Sequence, residues 1–261
     1  MTIMPPEITE VLLDHLSAGM PKDNVMTLHT RSKKRGGLLR LPLENGGAVI
    51  LKVWLSRNVK ERIKSAIRLS NGYREWYMHR FIHLAGIETP QPLWFHGITL
   101  PNGQHYEVMA IEDLGQTESG VPYLKRLMKA GQEEKITIFE ERVIEVTSRL
   151  FDLRIYDVDN QFNNFLVDSC GRVVRIDFEC ASRHYFRSIS LSKYAAVFDV
   201  LLRSHLHAAH PESDRTRQFI LRLADRLSVS KEFLRKVDEV SRATLRLERE
   251  KTGIDYRIEL N

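Results

Sequence analysis

The sequence predicts an α+β protein of two lobes, an antiparallel sheet carrying one helix followed by a mainly helical lobe. In the first 111 residues, two pairs of apolar stretches each flank an Asn-Gly turn. This pattern is typical of β-hairpins, because Asn and Gly tolerate the positive φ of tight turns. A helical stretch separates the two pairs, and in the second half apolar residues recur at helical spacing.

Composition supports a protein with a sizeable core. The 261 residues are 43% apolar and 28% charged, with a mean hydropathy of −0.30. The longest near-continuous apolar stretch, residues 48–55, already contains Lys52, so we expect no membrane-spanning helix. The first residues lack the basic start and apolar segment of a secretory signal, and we expect a cytoplasmic protein. Its two cysteines, Cys170 and Cys180, are expected to pack as free thiols.

The charge is mildly positive, since 39 Lys and Arg face 34 Asp and Glu, and the pI is near 9.2. Such an excess is compatible with nucleic acid, acidic lipid headgroups or phosphorylated substrates. The cations are not interleaved with aromatic residues in a nucleic-acid-binding module, so we expect no nucleic-acid partner. The basic run at residues 57–68 contains Ile63 and Ile67 and predicts an amphipathic helix. Its basic face is either solvated or contacts anionic headgroups.

The first lobe is predicted to cover residues 1–111. Its first hairpin joins residues 38–43 to 48–55, and its second joins residues 93–100 to 104–111. Between them we expect one helix from residue 59 to 85, which Gly86 ends as a residue with positive φ. The strand pattern stops at residues 112–115, which we interpret as a hinge.

The second lobe is predicted to cover residues 116–261. A long amphipathic helix precedes Tyr156, because apolar residues recur at steps of three and four: Ile136, Phe139, Val143, Val146, Leu150 and Leu153. Two short strands follow, at residues 164–167 and 173–176. From about residue 190 the pattern is helical again, with breaks near Pro211 and at residues 228–230.

The order of charged and amide side chains along these elements predicts chemistry. The members of the set are Lys52 within a strand, Glu75 on the following helix, and then Asp159, Asn164 and Asp177. Phosphoryl transfer from ATP is catalysed mainly by positioning and charge neutralisation. It requires a cation for the phosphates, two oxygen ligands for magnesium and a carboxylate that orients the attacking hydroxyl, and this set contains all of them.

These residues resemble the motifs of the protein-kinase-like superfamily. The matching residues are Val49-Ile50-Leu51-Lys52, Glu75, the spacing from Asp159 to Asn164, and Asp177-Phe178-Glu179. Within the superfamily, residues 30–200 are similar to the bacterial lipopolysaccharide kinases, which phosphorylate Kdo or heptose of the inner core. This closer similarity rests on Tyr73-Arg74-Glu75-Trp76, residues 85–92, Glu112-Asp113-Leu114 and Ile176-Asp177-Phe178-Glu179.

The resemblance implies a protein-kinase-like bilobal fold, with a nucleotide-binding first lobe and a second lobe for catalysis and acceptor binding. It implies that Lys52 pairs with Glu75 and contacts the α- and β-phosphates of ATP. Asp159 would accept or orient the proton of the acceptor hydroxyl. Asn164 and Asp177 would ligate Mg²⁺, for which hard oxygen ligands are suited. Backbone groups from Glu112 to Leu114 would meet the adenine.

The sequence also departs from the superfamily pattern. Asp157 and Val158 occupy the positions of the usual catalytic-loop His and Arg, which argues against control by activation-loop phosphorylation. Gln161 stands where protein serine/threonine kinases carry Lys, which argues against a protein acceptor. Ile50 replaces a small residue over the adenine. The phosphate-covering loop is reduced to residues 31–37, where cationic side chains take the place of most glycines.

We therefore expect an ATP- and Mg²⁺-dependent kinase that acts on a sugar hydroxyl of the lipopolysaccharide inner core, with peripheral contact to an anionic membrane. Two alternatives stay open at this point: a small-molecule phosphotransferase of the aminoglycoside type, and a nucleotide-binding pseudokinase scaffold. Two histidine groups are expected to be structural rather than metal sites: His79 with His83, and His205 with His207 and His210.

Overall fold

The chain divides into two units, Met1–Gly115 and Gln116–Asn261. The computed structural model describes Leu12 and residues 26–30, 37–43, 47–56, 58–184, 190–210 and 212–252. Among these residues, no helix combines the length and the apolar character that crossing a bilayer requires. Both cysteines are free, but both are exposed, so the expectation that they pack is wrong.

A five-stranded antiparallel sheet in the order β1-β2-β3-β5-β4 forms the first unit. Its strands are β1 (Met26–Thr30), β2 (Gly37–Pro42), β3 (Ala48–Ser56), β4 (Pro92–Thr99) and β5 (His105–Glu112). Strands β2 and β3 pair, as do β4 and β5, which confirms both predicted hairpins. Strand β1 was not predicted.

Alternation along β3 determines where Lys52 points. Val49, Leu51 and Val53 are buried in the core, where they pack with side chains of β2, β4 and β5. Because successive side chains of a strand point to opposite faces, Lys52 lies on the other face of the sheet and is only half-buried. The apolar sequence around this lysine therefore forms the core without burying its charge there.

Two helices replace the single helix predicted for residues 59–85, so that expectation is wrong: α1 (Val59–Ala66) and α2 (Asn71–Leu84). Helix α1 ends because Arg68 adopts a left-handed φ of 59° and the amide of Leu69 bonds back to the Lys64 carbonyl at 2.7 Å. Ser70 then caps α2, since its hydroxyl accepts a hydrogen bond from the Tyr73 amide at 3.1 Å. Gly86, with a φ of 76°, follows the end of α2 as predicted.

The second unit is mainly helical and contains two small antiparallel sheets, β6-β8-β9 and β10-β7. Its helices are α3 (Gly120–Lys129), α4 (Glu133–Asp152), α5 (Leu191–Ala209), α6 (Ser213–Arg226) and α7 (Lys231–Thr252). Its strands are β6 (Thr117–Ser119), β7 (Ile155–Asp157), β8 (Phe165–Asp168), β9 (Val173–Arg175) and β10 (Ala181–Arg183).

Phe162 anchors the loop between β7 and β8, where a short 3-10 helix spans Phe162–Asn164. Its ring is fully buried and makes edge contacts with Phe139 of α4 and Phe219 of α6, at centroid distances of 5.6 and 5.3 Å. A Cβ at Gly120 would collide with the Phe162 carbonyl, so glycine lets α3 approach this loop closely. The helical core therefore fixes the loop that carries Asp159 and Asn164.

Candidate active site

The predicted ion pair of the first unit is formed. The Nζ atom of Lys52 lies 2.6 Å from Oε1 of Glu75, which α2 presents to the sheet. The Lys52 side chain is 15% exposed and that of Glu75 is 2% exposed. The ammonium group also lies 5.5 Å from the centroid of the Trp54 ring. This geometry orients a lysine that keeps some access to solvent, and its contact with ATP phosphates stays a prediction.

The predicted hinge residues are held by hydrogen bonds at the end of β5. The amide of Glu112 donates to the Gln91 carbonyl at 2.9 Å, and the Glu112 carboxylate accepts from the Gln91 amide at 3.0 Å. Asp113 accepts from Arg40 Nε at 2.7 Å and from the Gly115 amide at 3.0 Å. The segment from Glu112 to Leu114 is therefore well defined, and its contact with adenine stays a prediction.

Asp159 and Asn164 lie together in the loop after β7. The side-chain nitrogen of Asn164, Nδ2, donates to the backbone carbonyl of Asp159 at 2.7 Å and to Asp159 Oδ2 at 3.0 Å. The other carboxylate oxygen, Oδ1, accepts from the side-chain amide of Gln161 at 2.8 Å. A carboxylate offers about four acceptor positions. Asp159 is therefore oriented by two neutral amides and can still accept the proton of a hydroxyl.

The donor set of this loop fits a hard cation. Because both acceptors of the Asn164 amide nitrogen are oxygens, its carbonyl Oδ1 is directed away from Asp159 and is suited to a metal. Asp177 and Glu179 each offer a carboxylate oxygen, and these two oxygens lie within 4.8 Å of each other. Asp177 has a φ of 61°, a left-handed conformation that Asp adopts more readily than most residues. The sequence reasoning had not assigned Glu179 to this set.

Sequence reasoning also missed Arg175, at the end of β9, whose side chain has no exposed surface. Its guanidinium group donates to oxygens of five residues: Asp157 Oδ2 at 2.6 Å, Asn160 Oδ1 at 3.3 Å, and the carbonyls of Asp159, Asn164 and Asp177 at 3.1, 3.2 and 3.4 Å. It also lies 5.4 and 5.2 Å from the ring centroids of Phe165 and Phe178. The signal available in the sequence was a charged residue at the third position of an otherwise apolar strand.

The carboxyl group of Asp157 completes this network. One of its oxygens accepts from Arg175 and the other from the Asp159 amide at 3.0 Å. Burial raises the pKa of Asp157 and the nearby carboxylates of Asp159 and Asp177 add to this, whereas Arg175 and the Asp159 amide lower the pKa; the net direction is upward. Asp157 thus replaces the usual histidine with a group that pairs with Arg175.

Three of the histidines singled out in the sequence make internal hydrogen bonds. The ring of His79 is buried and bonds to the Pro90 carbonyl at 2.7 Å, and His83 bonds to the Thr89 hydroxyl at 3.1 Å. His205 is fully buried, with its ring nitrogens 2.8 Å from the Thr216 hydroxyl and 3.1 Å from Glu140. His79 and His83 thereby connect α2 to the segment before β4, and His205 connects α5 to α6 and α4.

One feature of the second unit lies away from these residues. An open groove of about 670 Å³ in the second unit is lined by Tyr123, Arg126, Lys135, Phe139 and residues 167–171, among others. None of the described residues that line it belongs to the predicted site. The phosphate-covering loop is outside the described residues, except for Gly37 at the start of β2.

No protein-family profile and no curated protein sequence matches the chain. Solved structures do match it. WaaP in complex with acyl carrier protein superposes with a TM-score of 0.60 at 15% identity, and the match covers 96% of this chain and 98% of WaaP. The chain has a protein-kinase-like fold.

A second solved structure that matches the chain has no enzymatic activity. ROP2 from Toxoplasma gondii, a virulence factor with a protein-kinase fold and no enzymatic activity, matches with a TM-score of 0.50 at 13% identity, over 97% of this chain and 93% of ROP2. The protein-kinase-like fold predicted from the sequence is confirmed. Proteins with this fold therefore include one without enzymatic activity.

Proposed function

We propose that the protein transfers the γ-phosphate of ATP to a sugar hydroxyl, and that the acceptor is Kdo or heptose of the lipopolysaccharide inner core. The observation that carries this proposal is the set formed by Asp159, Asn164 and Asp177 around one buried arginine. It contains a carboxylate oriented for a hydroxyl and oxygen ligands for a cation, which phosphoryl transfer requires. The sequence similarity to lipopolysaccharide kinases supplies the acceptor class.

In the proposed reaction Asp159 accepts the proton of the acceptor hydroxyl. The hydroxyl oxygen forms a bond to the γ-phosphorus, the bond from that phosphorus to the β-phosphate oxygen breaks, and ADP leaves. Lys52, oriented by Glu75, holds the α- and β-phosphates. Backbone groups from Glu112 to Leu114 meet the adenine.

Asn164 and Asp177 would hold Mg²⁺, with Glu179 as a further oxygen ligand. When bound, the ion supplies positive charge that neutralises the phosphates. A carboxylate brings a formal charge and an amide only a dipole. In calorimetric titrations with Mg·ATP, Asp177→Ala should therefore weaken binding more than Asn164→Ala does. Unchanged affinity in the Asp177 variant would contradict the assignment of this ligand.

The acceptor assignment is supported by the surroundings of Asp159. Gln161 donates a neutral hydrogen bond to Asp159 where protein serine/threonine kinases carry a lysine. This substitution favours an acceptor other than a protein. The test incubates the protein with ATP and a purified lipid A–core acceptor and measures by mass spectrometry whether the core gains one phosphate, with Asp159→Asn as the inactive control.

Three outcomes of this test are distinct. A heavier core in the wild type alone supports the proposal. Phosphorylation of an aminoglycoside-type small molecule but not of the core would replace the acceptor class. ATP binding without transfer to any acceptor would favour the pseudokinase scaffold. Mass spectrometry of lipopolysaccharide from a deletion strain, which should lack one core phosphate, checks the same proposal in cells.

We also propose peripheral contact with an anionic membrane, since the proposed acceptor is attached to a lipid. None of the residues of α1 is buried, and Val59 and Ile63 are 71% and 55% exposed. The cations Lys60 and Lys64 flank these apolar side chains, an arrangement suited to an interface with anionic lipids. Two more of the predicted cations make contacts within the unit, Arg62 with the Gly103 carbonyl and Arg68 with the Tyr73 ring. The remaining ones, Arg31, Lys33, Lys34, Arg35 and Arg57, lie outside the described part of the chain.

Co-sedimentation with anionic vesicles across a salt series tests this contact. We expect binding at low ionic strength that weakens as salt approaches about 0.1 M, where the Debye length is about 10 Å. Lys60→Glu with Lys64→Glu should reduce it, whereas Lys129→Glu at the end of α3 should not. Absence of binding at low salt would favour an acceptor free in solution.

A further inference from the structure

We propose that Arg175, paired with Asp157, is the positioning residue of the active site, which holds the loop of Asp159 and the turn of Asp177 in one arrangement. This inference rests on the proposed function for its catalytic consequence, but its structural content can be tested without activity. It concerns a residue that the sequence similarity does not assign.

The guanidinium group contacts each segment that carries a predicted site residue. It donates to the carbonyls of Asp159, Asn164 and Asp177, which lie at the start of the loop, at its end and at the turn beyond β9. A carbonyl is part of the backbone, so these bonds fix the positions from which the side chains project. Only a planar group with five N–H donors can serve such a set of acceptors at once.

Two further bonds connect the network to the rest of the unit. Arg175 Nε donates to Asn160, whose side-chain amide donates to the Thr147 hydroxyl of α4 at 3.1 Å. The Asp157 carboxylate lies 2.6 Å from Arg175 and balances its charge at the end of β7. Through these bonds a long helix and a strand restrain the loop.

The pairing explains a departure from the superfamily pattern. Asp157 stands at the position of the usual histidine, and a carboxylate buried there needs a cation. Arg175 supplies that cation from β9. The two aromatic rings that the guanidinium group contacts belong to Phe165 and Phe178, which directly follow Asn164 and Asp177 in the sequence. The two unusual residues, Asp157 and Arg175, therefore form one ion pair.

Hydrogen–deuterium exchange of the full-length protein distinguishes positioning from general stabilisation. In Arg175→Met, the amides of Asp159, Asn164 and Ile176, which are hydrogen-bonded in this loop, should exchange about tenfold faster or more. The amides of α4 and α6 should be unaffected. Asp238→Asn is the matched control, because Asp238 is another buried carboxylate of this unit and pairs with Arg242 within α7. It should not change exchange at these three amides.

Unchanged exchange at these amides in Arg175→Met would overturn the proposal. Equal acceleration throughout α4 and α6 would also overturn it, since Arg175 would then only stabilise the unit. If Arg175→Met does not fold, Arg175→Lys decides: it keeps the charge beside Asp157 but cannot reach all acceptors. Faster exchange confined to the loop supports the proposal, and exchange identical to the wild type overturns it.

Kinetics provides the second readout. In Arg175→Lys we expect kcat to fall about 10²-fold, as small displacements of reacting groups do, while KM for ATP changes less than about threefold. Asp238→Asn should keep the wild-type kcat per folded molecule. A wild type without any phosphoryl transfer would reject the proposed function, whereas the exchange experiment would still decide whether Arg175 positions the loop. A normal kcat in Arg175→Lys, with transfer by the wild type, would overturn the catalytic part of the proposal alone.

Discussion

The two units each contain a buried ion pair, and the pairs differ in how closed they are. In the first unit, the Lys52 side chain keeps 15% of its surface exposed beside Glu75. In the second unit, Arg175 has no exposed surface beside Asp157, and its other donors are used by an amide oxygen and backbone carbonyls. A cation with remaining access can bind a ligand, whereas a closed one can only hold its surroundings. We therefore expect the open pair of the first unit to serve binding and the closed pair of the second unit to serve positioning.

The largest effect should come from the residue that the closed pair positions. Asp159→Asn should lower kcat by about 10²–10⁴-fold, because the general base is lost. ATP affinity should stay close to that of the wild type, since Asp159 acts on the acceptor. Steady-state kinetics and nucleotide titration measure the two quantities. Wild-type turnover on a verified acceptor would show that Asp159 has another role.

The open pair should lose binding and activity together. We expect Lys52→Met to lower kcat/KM for ATP about 10²-fold, comparable to the loss of one preorganised donor to a developing charge. Glu75→Gln should act through the same lysine, so the double variant should be much less impaired than the sum of the single effects. Additive losses would mean that the two side chains act independently.

The free energy of unfolding should also distinguish the two pairs, with the larger loss for the closed pair. Asp157→Asn leaves the Arg175 charge buried without its counter-ion, which costs about 3–5 kcal/mol in buried pairs. Glu75→Gln should cost less, about 1–3 kcal/mol, because Lys52 retains contact with solvent. Urea unfolding of both variants gives the two free energies of unfolding. Equal costs would remove the distinction between a closed and an open pair.

The smallest effect concerns a third buried cluster, in which Glu140 contacts His205, Arg215 and Arg222. Burial lowers the pKa of the His205 ring. The bond to Glu140 raises the pKa by less, so the net direction is downward. Below its ordinary pKa of about 6.5 the unfolded chain therefore binds a proton that the folded protein does not. The free energy of unfolding should fall on acidification from pH 7 to 5.5, by about 1 kcal/mol for this group.

The variant His205→Gln is the check on that prediction, because glutamine cannot titrate. Its free energy of unfolding should change less between pH 7 and 5.5 than that of the wild type. Identical pH dependence in the two proteins would show that His205 is protonated to the same extent when folded and unfolded.

The sequence by itself determined the elements whose signals are local. Asn-Gly turns between apolar stretches predicted both hairpins, and helical spacing predicted α4, because these patterns depend only on neighbouring residues. Lys52, Glu75, Asp159, Asn164 and Asp177 could be selected because their spacing resembles known motifs. The break between α1 and α2 was missed, since Ser70 is a cap only when Arg68 adopts positive φ.

Only the tertiary structure decided how the departures from the motif fit together. In the sequence, Asp157 stands at the position of the usual histidine, and Arg175 is a charged residue in an apolar strand. The two residues are 18 positions apart. Their pairing depends on how β7 and β9 end around the same loop, and no local pattern encodes that meeting. The same reason applies to Glu140 and Arg222, which pair across 82 positions. Long-range contacts between charged groups are set by packing, and packing is a property of the whole fold.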